Sequence, residues 1–227
     1  MKNVVFIFVL IISGINLYAQ SDKYVKAMES NLAKINYQSS AEDLLELGNA
    51  FERIAAAEKK EWLPSYYATL MYMYVAQKSM QDKDKLSMAV DKAWQNIELT
   101  EEKAGEHDEV LALKAYVYFG YIWKNPMLNG AMYSGKAYGL LEKAMELNPN
   151  NPRPYYLKGQ NTFYTPAMWG GGAKNAKPLL LTAQEKFNTF EKTTSLMPDW
   201  GKEGNNYMLK QVGVEVDTKA AVPATTE

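Results

Sequence analysis

The 227-residue chain sets 25 Lys and Arg against 26 Asp and Glu, is 47% hydrophobic, and contains one histidine and no cysteine. Balanced charge without a basic stripe sets nucleic-acid binding aside. The missing thiols rule out a disulfide framework, a thiolate metal site, a cysteine nucleophile and a lipid-modified cysteine.

Lys2 is the only charge before an apolar run over 4–12, which a small-residue segment follows up to Ala19 and Gln20. A basic start, a short apolar core and a small residue at the cut predict a secretory signal peptide over 1–19. The run is shorter than the roughly 20 apolar residues a spanning helix needs. The expectation is therefore an exported chain, periplasmic or secreted, with no stable membrane insertion once the signal is removed.

Helical spacing of apolar residues then predicts helices over 22–35 and 41–59, the second opened by Ser39-Ser40-Ala41-Glu42. Pro64 suits the first turn of a third helix, 65–80, rich in aromatics and methionine. A fourth helix runs through Met88, Val90, Trp94 and Ile97, and a fifth spans 108–123 until Asn125-Pro126 stops it. Asn129-Gly130 reads as a turn. Further helices are expected over 135–147, 153–164, 176–195 (capped by Asn175) and 202–210. The last stretch, 213–227, lacks periodicity and reads as a disordered tail. No segment reads as a strand, so the fold class is all-α, with one helical domain over 20–212.

One pattern repeats. Leu47, Phe51 and Ile54 are echoed by Val90, Trp94 and Ile97, by Ala137, Leu141 and Ala144, and by Ala176, Leu180 and Ala183. Offsets of four and seven put each triplet on one helix face. The echoes start 43, 47 and 39 residues apart, which suggests stacked helical hairpins. Ala137, Leu141, Ala144 and Pro149, followed by Tyr155 and Gly159, resemble the tetratricopeptide repeat, whose small residues let helices approach and whose proline ends the hairpin. The spacings exceed the 34 residues of the standard repeat, with the surplus in loops after Trp123 and Tyr164. The run Gly170-Gly171-Gly172-Ala173-Lys174-Asn175-Ala176-Lys177 is also similar to the helical T-component associated with some TRAP-type transporters.

The tetratricopeptide resemblance implies that the first helix of each pair lines a concave face. In that register Tyr116, Phe119, Tyr156, Gln160, Phe163 and Tyr164 face inward, and Trp123, Asn125, Tyr133 and Trp169 lie on or beside the loops that close over the groove. Aromatics and amides suit a peptide or a small amphiphilic molecule. The alternative use of the same aromatics is packing between helices.

Chemistry is harder to find. His107 sits on an acidic corner without the further ligands of a zinc site or the partners of a triad, and reads as an exposed surface histidine. Gly170 to Gly172 lack the strand and the Gly-Lys-Ser/Thr of a P-loop. Paired acids such as Glu101-Glu102 fall on corners, where solvent and helix dipoles favour them. No catalytic residue, metal ligand or cofactor is assigned. The expected function is a non-catalytic binding or scaffolding protein that recognises a protein segment in a concave groove; the alternative is a small-molecule-binding accessory of a periplasmic transport system.

Overall fold

The computed structural model describes residues 22–216. The expected signal peptide lies outside the described residues, as do residues 217–227 of the tail expected over 213–227. Among the described residues the chain forms α1 (Asp22–Leu32), α2 (Ala41–Ala57), α3 (Leu63–Lys78), α4 (Lys83–Ala104), α5 (Asp108–Lys124), α6 (Pro126–Leu147) and α7 (Pro152–Tyr164). A 3₁₀ turn (Ala167–Trp169), α8 (Ala173–Thr189) and α9 (Lys202–Gln211) follow. No strand occurs among these residues, in accord with the all-α expectation.

Local chemistry sets the starts. Ser40 caps α2 in a reciprocal box: its hydroxyl accepts the Asp43 N–H at 3.0 Å, and the Asp43 carboxylate accepts the Ser40 N–H at 3.3 Å. Asp82, His107, Asn125 and Asn151 cap α4 to α7 in the same way, each accepting a first-turn N–H. Pro126 and Pro152 occupy first-turn positions, where a missing N–H costs nothing.

Three boundaries differ from the sequence expectation. Asn129-Gly130 is helical, because Asn125 and Pro126 start α6 nine residues early and Asn129 Nδ2 covers the Tyr121 carbonyl at the end of α5 at 2.7 Å. Helix α8 starts at Ala173 behind Gly172, so Asn175 lies inside its first turn and Pro178 in its second. It also ends at Thr189. Residues 190–200 instead form an irregular strap across the molecule, pinned by the Tyr67 hydroxyl on the Leu196 carbonyl at 2.8 Å.

The echoed triplets bury the same face of α2, α4, α6 and α8. Ala137, Leu141, Ala144, Ala176, Leu180 and Ala183 are all fully buried. Helix α7 crosses α8 at Gly159, where a Cβ would sit 2.7 Å from Leu180 Cδ2. Helix α3 is buried all round from Leu63 to Ala76, so it forms the middle of the core and shows no amphipathic stripe. At the other end of the chain, Val214 and Val216 pack against the core, and the Val214 N–H bonds the Leu209 carbonyl.

Polar contacts fix the direction of the helices. Tyr66 at the start of α3 donates to Glu109 at the start of α5, and Asn151 before α7 donates to Asp108. So α3, α5 and α7 run parallel. Asn148, at the end of α6, also donates to Asp108, which makes α6 antiparallel to α5.

Candidate functional site

A cleft of about 350 Å³ opens where α3, α5 and α7 face the chain on either side of them in sequence, the loop after α1 and the segment leading into α9. Tyr74 and Gln77 come from α3, Tyr116 from α5 and Tyr156 from α7. Ile35 to Gln38 form one wall, and Asp199, Trp200, Gly201, Glu203 and Gly204 the other.

The rings are held by one another. Tyr116 stacks on Trp200, centroids 6.2 Å apart and planes inclined by 21°, while Trp123 packs edge-on to Tyr116 at 5.6 Å. Tyr37 meets Tyr74 edge-on at 5.5 Å, and the Lys78 ammonium lies 5.2 Å from the Tyr37 ring centre. The Tyr116 hydroxyl donates to Gln77 at 3.0 Å, and Gln160 donates to the Tyr156 hydroxyl at 3.1 Å.

Burial pushes the phenols of Tyr74, Tyr116 and Tyr156 up, and repulsion among their ionised forms adds to the shift. Tyr37 and Tyr164 are raised for the same reasons, with Tyr207 in the same electrostatic neighbourhood. The cleft therefore offers ring faces and neutral hydroxyls rather than phenolates. The charged groups at its wall are the carboxylates Asp199 and Glu203, and no histidine lines it. Among the described residues no group of three or more His, Asp or Glu is placed to hold a metal ion.

No protein-family model matches the chain, and no curated protein matches it. Among solved structures, the HusA haemophore from Porphyromonas gingivalis superposes with a TM-score of 0.74 at 25% identity, over 90% of this chain and 99% of that one. The chain shares its helical fold with a haemophore.

Of the residues expected at a groove, the structure brings Tyr116 and Tyr156 into the cleft, with Gln160 bonded behind Tyr156. Tyr164 is exposed, packs edge-on to half-buried Phe163, and adds to the field that raises Tyr156. Phe119 is buried against Tyr138, and Trp123 backs Tyr116 without lining the cleft. Asn125 caps α6, so it belongs to a helix start and not to a covering loop. Tyr133 stacks on Tyr118 and Tyr121, away from the lining, and Trp169 points to solvent from the 3₁₀ turn. Sequence reasoning did not assign Tyr37, Tyr74, Gln77 or Trp200. Tyr74 hides in the uniformly apolar α3, and Tyr37 and Trp200 sit in irregular segments with no period to read.

A second feature escaped the sequence. Arg153 and Glu109 are both buried and meet at 2.7 Å, and Glu109 also accepts from Tyr66 and Asn151 at 2.9 Å each. Arg153 donates on to the Pro198 carbonyl and lies over the rings of Phe190 and Trp200, while the Trp200 indole N–H donates to Tyr66 at 2.8 Å. Burial raises the Glu109 carboxyl, against the pull of Arg153 and Tyr66. This network anchors the cleft wall that carries Trp200. The visible signal was the scarcity of arginine: only Arg53 and Arg153 occur among the 25 basic residues.

His107 is a correction. It is half-buried and packs on Trp62 with ring centres 4.9 Å apart; its Nδ1, 3.2 Å from the Glu109 nitrogen and 3.1 Å from Asp108, accepts the Glu109 N–H and caps α5 when neutral and donates to Asp108 when protonated. An acidic corner looks solvated in sequence, but this one is folded against α3 and α7.

Proposed function

We propose that the chain is an exported, non-catalytic binding protein that holds a flat aromatic small molecule of the haem and porphyrin class in the Tyr37–Tyr74–Tyr116–Tyr156–Trp200 cleft. The observation that carries this reading is the cleft itself: aromatic faces and neutral hydroxyls, held in place by the Tyr116–Trp200 stack and open at the Tyr37 side. Its volume falls within the range of small-molecule sites. The likeness to a haemophore, a protein named for carrying haem, supports the ligand class. Lys78 above Tyr37 offers a cation at the rim for a ligand carboxylate. Binding rests on stacking and burial, since the lining supplies neither imidazole nor thiolate.

In this reading residues 1–19 are a signal peptide, 20–212 the binding domain and the stretch beyond it a tail, and the location is periplasmic or secreted. The parallel run of α3, α5 and α7 with intervening antiparallel helices is read as tetratricopeptide-like packing. A transport accessory would use the same cleft and differ only in its partner. Recognition of a protein segment is the second reading, favoured by the amides of Asn36, Gln38 and Gln77 around the cleft, which suit a peptide backbone.

The test is an absorbance titration of the chain with haem and with iron-free protoporphyrin. A saturable shift of the main absorption band is expected with both, and Tyr37→Ala should weaken binding by roughly tenfold, about one lost aromatic contact, while the melting temperature holds. No shift with either compound overturns the ligand class. Enrichment of a consensus peptide by display on the same chain, lost in Tyr37→Ala, would replace it with the second reading.

A further inference from the structure

Because α3, α5 and α7 run parallel, the turns that follow them lie at one end of the molecule, opposite the Asp108–Glu109–Asn151 corner. Large apolar side chains project furthest from two of those turns, with Met80 on the third 45% exposed. Met127 is 90% exposed at the start of α6 with Leu128 beside it, and Met168 and Trp169 are 82% and 73% exposed on the 3₁₀ turn.

The second turn is built to hold that shape. The Gly171 N–H bonds the Pro166 carbonyl at 3.2 Å, the Gly172 N–H bonds the Thr162 carbonyl at 2.9 Å, and Asn175 Nδ2 donates to the carbonyls of Gly170 and Gly171. A Cβ at Gly171 would lie 1.9 Å from the Thr165 carbonyl oxygen, so only glycine lets the chain fold back so closely. The tip holds its two apolar side chains in water, Met168 82% and Trp169 73% exposed.

The two tips lie in stretches of the chain without acidic residues. No Asp or Glu occurs between Glu109 and Glu142 or between Glu146 and Glu185, whereas Lys124, Lys136, Lys174 and Lys177 do occur there. Lys124 is paired with Asp91; Lys136 and Lys174 are exposed. The third turn at this end, with Asp82 and Asp84 beside Lys83 and Lys85, is balanced. The opposite corner carries Glu101, Glu102, Glu106 and Asp108, with Glu101 paired to Lys114 and Glu106 to Lys143.

We propose that this end docks on an anionic lipid surface, with Met127, Leu128, Met168 and Trp169 entering the headgroup boundary and the acid-free lysines facing lipid phosphates. Projecting tips suit a bilayer: tryptophan and methionine flanked by lysine favour the interface. Attraction of lysines to anionic lipid supplies the orientation. No helix of the described residues is long and apolar enough to cross the membrane, so the contact is peripheral. The inference does not depend on what the aromatic cleft holds.

The experiment is co-sedimentation of the exported chain with phosphatidylcholine vesicles, with and without a quarter of phosphatidylglycerol. Binding is expected on the anionic vesicles, weakening with salt. The Met168→Ser/Trp169→Ser variant should bind roughly tenfold less well, since two interfacial anchors are lost. Lys174→Glu/Lys177→Glu should erase the preference for anionic lipid. Brominated lipids should quench the wild type more than Trp169→Phe. Circular dichroism melts confirm that the variants fold. No binding to anionic vesicles at low salt, or equal binding by the Met168/Trp169 variant, overturns the proposal. Capture of an acidic protein through these residues, without vesicle binding, would also overturn it and assign the end to a protein partner.

Discussion

Arg153 and Glu109, 44 positions apart in sequence, form a buried ion pair at 2.7 Å that ties the starts of α5 and α7 together. Through Tyr66 and the Pro198 carbonyl the same pair reaches α3 and the strap that carries Trp200 into the cleft. A buried pair gains little over apolar packing, but losing one partner strands the other charge. Arg153→Met should therefore cost about 3–5 kcal/mol in urea unfolding. Pairing it with Glu109→Met should restore part of the loss. An unchanged midpoint in the single variant would remove the network from any account of stability.

The acid side of the stability profile should depend on Asp108. Burial alone would raise its carboxyl, but hydrogen bonds from His107, Asn151 and Asn148 hold it down at about 2, below the ordinary 3.8. A folded-state value below the unfolded one contributes stability above the unfolded value, and that contribution is lost as pH falls from 3.8 towards 2. Melting temperature measured over that window should fall less steeply in Asp108→Asn, which forfeits about 1–2 kcal/mol at neutral pH after allowance for solvent screening.

His107 runs the other way. Its bond to Asp108 raises the imidazole above 6.5, while burial opposes the shift. The stabilisation is full below the ordinary value and disappears as pH rises through the raised one. Proton NMR titration should place His107 above 6.5 in the wild type and lower in Asp108→Asn.

Two tryptophans separate the cleft from the docking end. Trp200 lines the cleft and Trp169 does not. Haem should quench emission in Trp169→Phe nearly as far as in the wild type, a loss of roughly half or more, because the absorber sits against Trp200. Quenching that vanishes in Trp169→Phe would move the ligand to the 3₁₀ turn.

Gly159 tests the crossing of α7 and α8. Gly159→Val brings a branched side chain onto Leu180, 2.7 Å from where its Cβ would stand, and should cost roughly 1–3 kcal/mol by overpacking. An equilibrium denaturation curve measures it, and wild-type stability would show that the two helices part at no cost.

The legible parts were the local ones. Ser39-Ser40-Ala41-Glu42 announced the start of α2, although the box the chain forms there is Ser40 with Asp43, and the triplet at Ala137, Leu141 and Ala144 announced a buried face through spacing alone. Asn129-Gly130 misled because a turn-forming pair carries no record of the upstream cap at Asn125, which had already committed the chain to helix. Of the residues expected at a groove, Tyr116 and Tyr156 line the cleft, while Phe119 on the same helix as Tyr116 is buried against Tyr138.

By itself the sequence determined the all-α class seen in the described residues and the repeat of small and large residues on alternate helices. These follow from composition and from contacts within one or two helical turns. Only the tertiary structure decided that Tyr37 and Trp200 meet the helix tyrosines in one cleft, that Arg153 neutralises Glu109, and that Met127 and Trp169 share an end. Each of those joins residues separated by a hairpin or more, and such a pairing depends on how whole helices pack, which no local pattern encodes.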